Sequence, residues 1–364
     1  MESRRLCVAV TGLHCGENPA PGTSVIRCIR AEPAFQGSVV GLAYDPLDAG
    51  IYADGLIDAV YLLPYPLTGL QAIKDRLAFA DEAYKIDFLI PTLDTELSSF
   101  IRLKSFLSDR GIHTLLPSED AWSATLKARL PALAEKCSFA TPLIRPVFSQ
   151  FAASLGIPGI HYPTWWPPVM VKGVFNEAYL AFSSAQAYVY CGALASRWGY
   201  PVILQEHIVG TEYDIAALGD GTKEMIGCVA MRKESISSSG KSTSGVIVDE
   251  EELFDLAKRI IECLSWNGPL EIEVIKAARD GLWYILEINP RFPAWVFAAA
   301  AAGQNLPFAA LQLAFNEDVK PMREYTTGIR FSRYTSDLIV RQPDFEALSS
   351  SGELMREDVN EGTI

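Results

Sequence analysis

Glu287, Asn289 and Arg291 fall within Leu286-Glu287-Ile288-Asn289-Pro290-Arg291, which ends the strand-like run 282–286. A carboxylate, an amide oxygen and a guanidinium thus meet at one strand exit. Hard cations such as Mg²⁺ take oxygen ligands and commonly share one or two carboxylates with substrate phosphates. An arginine beside them offers a planar fork for phosphate or carboxylate oxygens. Upstream, the alternating Glu271-Ile272-Glu273 can bring a second carboxylate to the same ion. Read alone, the hexapeptide equally fits an ordinary strand that ends in a proline turn with an arginine on the surface.

A second cluster is Gln205-Glu206-His207-Ile208-Val209-Gly210-Thr211-Glu212-Tyr213. Two carboxylates bracket a glycine turn between strands. Carboxylates pair well with vicinal hydroxyls, and exposed backbone N–H and C=O groups can read a purine edge. Arg232 and Lys233 follow the strand-like run 226–230, Lys127 lies in a helical segment, and Lys172 ends the strand-like 169–172. Lysines in such positions are most often solvated, so their weight comes from register with the other motifs.

Taken in order, these segments resemble the ATP-grasp superfamily, specifically its carbamoyl-phosphate-synthetase-like branch of stand-alone ligases, whose strand reads E-I-N-P-R. The resemblance covers nearly the whole chain. It implies that Lys127 and Lys172 approach nucleotide phosphates and that Gln205, Glu206 and Ile208 belong to the hinge holding adenine. Glu212 would take the ribose hydroxyls, and Arg232 and Arg291 the triphosphate. Glu273, Glu287 and Asn289 would bind one or two Mg²⁺, with Mn²⁺ as a substitute. Much of this branch has Gln where Glu273 stands. The Leu93-Asp94-Thr95-Glu96-Leu97 turn resembles a segment that faces the central cleft in the family, and it also fits a helix N-terminus with favourable dipole charge.

One departure stands out. The family has a Gly- and Ser-rich loop after the second lysine, whereas here Lys172 is followed by Gly173-Val174-Phe175-Asn176-Glu177. Backbone amides cradle phosphate only where the chain approaches closely. Either Ser183-Ser184 or the segment 235–245, read as a mobile lid or a plain solvent loop, takes over that role, or phosphate coverage is weaker.

The length of 364 residues calls for two or three compact units, and 49% hydrophobic residues support a folded globular chain. A formal charge of −13 argues against a general nucleic-acid or anionic-membrane surface. The seven cysteines include no C-x-x-C pair and read as reduced, mostly buried thiols. The start of the chain lacks the apolar core of a signal peptide, and the apolar stretch 294–302 is too short to span a membrane. The expected location is cytoplasmic.

Strands at 6–10, 38–43, 59–63, 88–91 and 113–116 alternate with helices at 23–31, 67–84 and 96–110. This pattern implies an open parallel sheet with helices on both faces. Beyond residue 118 longer strands suggest antiparallel sheets. The expected fold class is therefore mixed: an N-terminal parallel α/β (pre-ATP-grasp) domain at 1–117, then a two-lobed ATP-grasp domain with antiparallel sheets. Its small lobe with a linker helix occupies 118–204 and its large lobe 205–335, leaving a C-terminal tail at 336–364.

The function implied is ATP-dependent joining of a carboxylate to an amine through an acyl phosphate. Partners would be small-molecule or peptide carboxylates and amines, without nucleic acid or membrane, and a homodimer is allowed. Tyr162, Trp165, Trp166, Phe292 and Trp295 fit either an apolar or peptide substrate or plain core packing. The alternative is a non-catalytic nucleotide- or partner-binding protein on the same fold. Bicarbonate as the carboxylate ranks lower, because no carrier or glutaminase segment is evident.

Overall fold

A computed structural model describes residues 5–16, 18–53, 55–157, 168–174, 177–237 and 242–356. The first unit runs β1 (Cys7–Thr11), α1 (Gly22–Arg30), β2 (Ser38–Ala43), β3 (Ala59–Leu62), α2 (Leu70–Tyr84), β4 (Phe88–Ile90), α3 (Asp94–Arg102) and α4 (Lys104–Asp109). Strand β1 pairs in parallel with β2 and β4, and β2 with β3. Alternation along β1 sets the layers. Val8 and Val10 pack towards α1, whereas Cys7 and Ala9 pack with residues of α2 and α3. The helix expected over 96–110 is two helices that meet at Leu103. His113 makes only an isolated bridge to Phe88, so no strand forms over 113–116.

The exits of β1, β2 and β4 are locked together at one edge. Gly12 has φ +67°, and a Cβ there would lie 2.2 Å from Thr92 Oγ1, so the chain needs glycine where β1 and β4 come closest. Glu96 is fully buried and accepts the backbone N–H groups of Thr92 and Leu93 at 2.8 and 2.9 Å. The hydroxyls of Thr11 and Tyr44 also donate to it. Burial pushes the Glu96 carboxyl above the ordinary value, while these four donors pull it back.

The middle unit contains α5 (Glu119–Ala124), α6 (Leu130–Cys137), β5 (Ile144–Val147), α7 (Gln150–Ser154), β6 (Val169–Lys172), β7 (Ala178–Ala181), α8 (Ser184–Trp198) and β8 (Val202–Glu206). Pro131 sits in the first turn of α6, where its missing N–H costs nothing. The four strands form a sheet in the order β5-β8-β6-β7, with α7 and α8 packed on it. Tyr162, Trp165 and Trp166 lie outside the described residues.

The third unit is β9 (Gly210–Asp220), β10 (Met225–Ile236), β11 (Ser242–Val248), α9 (Glu251–Leu264), β12 (Asn267–Ala277), β13 (Trp283–Asn289), α10 (Val296–Ala301), α11 (Leu306–Ala314) and β14 (Arg330–Ser332). Its antiparallel sheet has the order β13-β12-β9-β10-β11-β14. Tyr213, Ile215 and Ala217 face α9, and Ala216 and Leu218 face the opposite way, towards α10 and α11. Of the segment 235–245, expected as a lid or solvent loop, residues 235–236 and 242–245 belong to β10 and β11, with Ile236 opposite Ser242, and 238–241 lie outside the described residues.

Two further expectations are corrected. The tail expected at 336–364 is structured in its described part: α12 (Gln342–Ser351) leads into β15 (Glu353–Met355), which adds antiparallel to β3 and caps that edge of the first sheet, while 357–364 lie outside the described residues. Cys137 and Cys263 form a disulfide that joins α6 to α9 across 126 residues; the spacing that marks paired or metal-binding cysteines is absent because this bridge links distant segments. The free cysteines Cys7, Cys28, Cys191 and Cys228 are buried. Among the described residues no helix is long and apolar enough to cross a membrane.

Glu96 gives the fold a pH dependence of known sign. Its folded value lies above that of the unfolded chain, so the folded state holds its proton more tightly and stability falls as pH rises between the two values. Glu96→Gln should flatten this slope above the ordinary carboxyl range. Urea midpoints at stepped pH measure it, and an unchanged slope in the variant would refute the assignment.

Candidate active site

A β-bulge aims the metal-type ligands. Val274 faces Ile285 across the β12–β13 ladder, but the next pair is Glu273 with Glu287, followed by Ile272 with Ile288 and Glu271 with Asn289. Leu286 is the extra residue. In a regular strand Ile285 and Glu287 would share a face. The bulge leaves Ile285 against α9 and turns Glu287 to the opposite side, beside Glu271, Glu273 and Asn289.

Lys233 anchors the same face. Its ammonium lies 3.2 Å from Glu212, 3.4 Å from Asp214 and 3.2 Å from Glu273. Burial alone would lower its proton affinity, but Asp214, Glu273 and Glu212 outweigh burial and hold the pKa well above the usual lysine value. Lys233 is therefore a fixed positive charge in the floor of the cleft.

Arg291 is the second anchor. It donates through Nε to Asp94 at 3.0 Å and through Nη1 to Glu271, which ties the first unit to the large sheet. Burial opposes its charge, and the two carboxylates more than compensate, so its pKa is raised. Asn289 Nδ2 donates to Glu271 at 2.8 Å and to Glu273 at 3.4 Å, which leaves its Oδ1 as the ligand-type atom.

Carboxylate oxygens of Asp214, Glu271 and Glu273 lie within 4.8 Å of one another. With Glu287 and Asn289 beside them, the donor set is all oxygen, which fits Mg²⁺ or Mn²⁺ and not a thiolate- or imidazole-seeking metal. The lysines close the site from the side. Lys127 Nζ lies 2.9 Å and Lys172 Nζ 3.9 Å from the two oxygens of Glu287. Lys127 also donates to Val174 O at 3.1 Å.

Residues 205–213 span the end of β8, a turn and the start of β9. Gln205 Nε2 donates to Leu286 O at 2.9 Å. The Glu206 carboxylate is held by Arg279 and by Leu143 N–H, so it fixes the end of β8. Ile208 packs in a small apolar cluster with Ile275, Ala277, Tyr284 and Leu286. Burial lowers the His207 pKa, opposed by Glu212.

A cavity of about 260 Å³ adjoins this face, lined by Asp214, Lys233, Glu271, Glu273, Glu287 and Arg291 on one side and by His14, Pro19 and Asp94 on the other. The structure brings Lys127, Lys172, Glu273, Glu287, Asn289 and Arg291 together, with Glu212 joined to them through Lys233. It turns Arg232 away. Arg232 pairs with Tyr213 on the α9 side of the sheet and reaches Glu234 at 3.7 Å. Sequence reading named the neighbouring Lys233 but could not fix the parity of β10.

It also missed Asp214, which hides in the apolar run of β9, and Arg333, which follows β14 and lines the cavity. Burial lowers the Arg333 pKa while Glu271 and Asp214 oppose that shift. After Lys172, Gly173 N donates to Glu177 O at 3.0 Å. Ser183 caps α8 by accepting from Gln186 N. Among the described residues of 235–245, Ser242 lines the cavity. Phe292 and Trp295 are buried, and Trp295 also lines the cavity.

No curated protein sequence matches the chain. Residues 200–336 match the family model described as ATP-grasp in the biosynthetic pathway with Ter operon. Among solved structures, pyruvate carboxylase of Rhizobium etli superposes with TM-score 0.64 at 14% identity, covering 86% of this chain and 28% of that one. Biotin carboxylase of Campylobacter jejuni gives TM-score 0.67 at 12% identity over 88% of this chain and 73% of that one. L-amino acid ligase of Bacillus licheniformis gives 0.60 at 15% identity over 88% and 78%. The chain spans less than a third of the pyruvate carboxylase, and at these identities the likeness is one of fold. The chain therefore shares the fold of these proteins along most of its length, and the ATP-grasp family match falls on residues 200–336.

Proposed function

We propose that the chain is an ATP-dependent carboxylate–amine ligase. The observation that carries this reading is the convergence of Lys127 and Lys172 on Glu287, beside an all-oxygen ligand set braced by Lys233 and Arg291. One neighbour, titled L-amino acid ligase, bears this reaction class in its name. A substrate carboxylate oxygen would attack the γ-phosphorus of ATP, the bond to the β-phosphate oxygen would break, and ADP would leave. The amine nitrogen would then attack the acyl carbon, inorganic phosphate would depart with the C–O bonding pair, and the nitrogen would lose one proton.

Such a transfer asks for positioning and charge neutralisation, not for a side-chain nucleophile. Asp214, Glu271, Glu273, Glu287 and Asn289 would hold Mg²⁺, which supplies neutralisation of the phosphate oxygens. Lys127 and Lys172 would exchange Glu287 for phosphate oxygens, Glu212 would orient the ribose, and Ile208 with its apolar neighbours would support the adenine ring. Lys233 keeps the carboxylates in place. We further assign units 1–117, 118–204 and 205–335 as the first domain, small lobe and large lobe. The bulky sequence Gly173-Val174-Phe175-Asn176-Glu177 after Lys172, in place of a Gly- and Ser-rich loop, favours as a second reading a protein that binds nucleotide without turnover.

Incubation with Mg-ATP and pools of amino acids or short peptides should yield ADP and a new amide. Nucleotide binding with no substrate-dependent ADP from any pool would establish the second reading. Glu287→Gln should lower ADP formation about 100-fold or more while leaving nucleotide affinity within several-fold. Comparable loss of binding and turnover would instead make Glu287 a structural residue.

Lys233→Met and Arg232→Ala separate the two faces of β10. Loss of Lys233 leaves buried carboxylates uncompensated and should lower both stability and turnover, by about 3–5 kcal/mol in stability. Arg232→Ala should change turnover less than about threefold, as expected for an exposed ion pair. Steady-state ADP release and urea denaturation check both, and a larger loss of turnover in Arg232→Ala would overturn the assignment.

A further inference from the structure

A second cavity, of about 340 Å³, opens at the carboxyl edge of the first sheet. Its walls come from all four parallel strand exits: Gly12 and His14 after β1, residues 44–48 after β2, Tyr65 and Pro66 after β3, and Leu93 and Thr95 after β4. In the order β3-β2-β1-β4 the chain reverses direction of sheet growth at β1 and β4. Open parallel sheets bind ligands in the crevice outside such a switch point.

The two cavities differ in their cations. The first carries Lys233, Arg291 and Arg333 among the carboxylates of Asp94, Asp214, Glu271, Glu273 and Glu287. Among the described residues no lysine or arginine lines the second, which presents Asp45 and Asp48 with the stacked rings of Tyr44 and Tyr65, 5.8 Å apart at 20°. Carboxylates beside aromatic faces suit an alkylammonium group, which gains both ion pairing and cation–π attraction. The walls are fixed before any ligand arrives. The Tyr44 hydroxyl is held by buried Glu96, and the turn bearing both aspartates is closed by Leu47 N to Asp45 Oδ1 at 2.8 Å and by Asp48 N to Asp45 O at 3.0 Å. His14, Leu93 and Thr95 line both cavities, so a molecule seated in one abuts the other.

We propose that this second cavity receives a cationic group of the amine substrate, so that the acceptor of the ligation carries an alkylammonium group in addition to the neutral amine nitrogen that attacks, and is not an anionic amino acid. The assignment rests on the ligase reading for the word acceptor, while the cation site stands on its own geometry.

Calorimetry on the full chain with putrescine, agmatine and L-lysine methyl ester, against glutarate as the anionic control, tests it. At least one cationic probe should bind more tightly than glutarate, and Asp45→Asn/Asp48→Asn should weaken that probe at least about tenfold with an unchanged thermal midpoint. Added salt should weaken it further. Equal affinity in the double variant, or glutarate binding as well as every cationic probe, overturns the site. ATP binding and ADP formation are measured separately: aspartate-dependent cation binding without any ADP formation would sink the ligase reading and leave the cation site intact.

Discussion

A charge taken out of water must be met by an opposite charge or by several hydrogen bonds, since an unpaired buried ion costs several kcal/mol. The face formed by β9, β10, β12 and β13 holds two such charges. Lys233 is enclosed by Glu212, Asp214 and Glu273, and Arg291 by Asp94 and Glu271. Each carboxylate is thereby fixed in direction without being used up, because a carboxylate has four lone-pair sites. The ligand set is preorganised by its own counter-ions. Asp94 is the one partner that comes from outside the large sheet, so the start of α3 is held against it by the same requirement.

That contact is backed by a shared apolar core. Val25, Ile26 and Ile29 of α1 pack into one cluster with Val296, Ala299 and Leu306 of α10 and α11. Asn305 Nδ2 donates to Cys28 O at 2.8 Å, Ser24 Oγ donates to Ala294 O at 2.7 Å, and the Arg27 guanidinium lies over the Phe297 ring. The loops after β1 and β4 therefore hang from a platform that includes the large sheet's own helices. On the other face of that sheet, the Cys137–Cys263 disulfide fastens α6 to α9, and the turn that carries Lys127 immediately precedes α6.

Much of this was legible in the amino-acid order, and the illegible parts share one cause. Apolar alternation located β1 to β4, β6 and β8, and the motif order picked out the two lysines that meet Glu287 and the strand that bears it. Parity was harder. Arg232 and Lys233 differ by one position, and only the pairing of β10 with β9 decides which enters the cleft. Glu287 and Ile285 look like residues of one face until the bulge at Leu286 is known. Asp214 sits in a strand whose other members are apolar, so nothing local distinguishes it. Strand β15 and the disulfide join segments far apart in sequence, where no local spacing rule operates.

The net charge of −13 acquires a spatial meaning from these pairings. Five cations, Lys127, Lys172, Lys233, Arg291 and Arg333, gather around the carboxylates of one cleft, while among the described residues the adjoining cavity has Asp45 and Asp48 with no lysine or arginine. The cations of an acidic chain are thus concentrated in one place, where their field is local and not averaged over the surface. Lys127 and Lys172 pair with Glu287, whereas Lys233 pairs with Glu212, Asp214 and Glu273 and Arg291 with Asp94 and Glu271. This division follows the element on which each cation stands: Lys233 and Arg291 belong to the large sheet and its exit, Lys127 to the turn before α6 and Lys172 to β6.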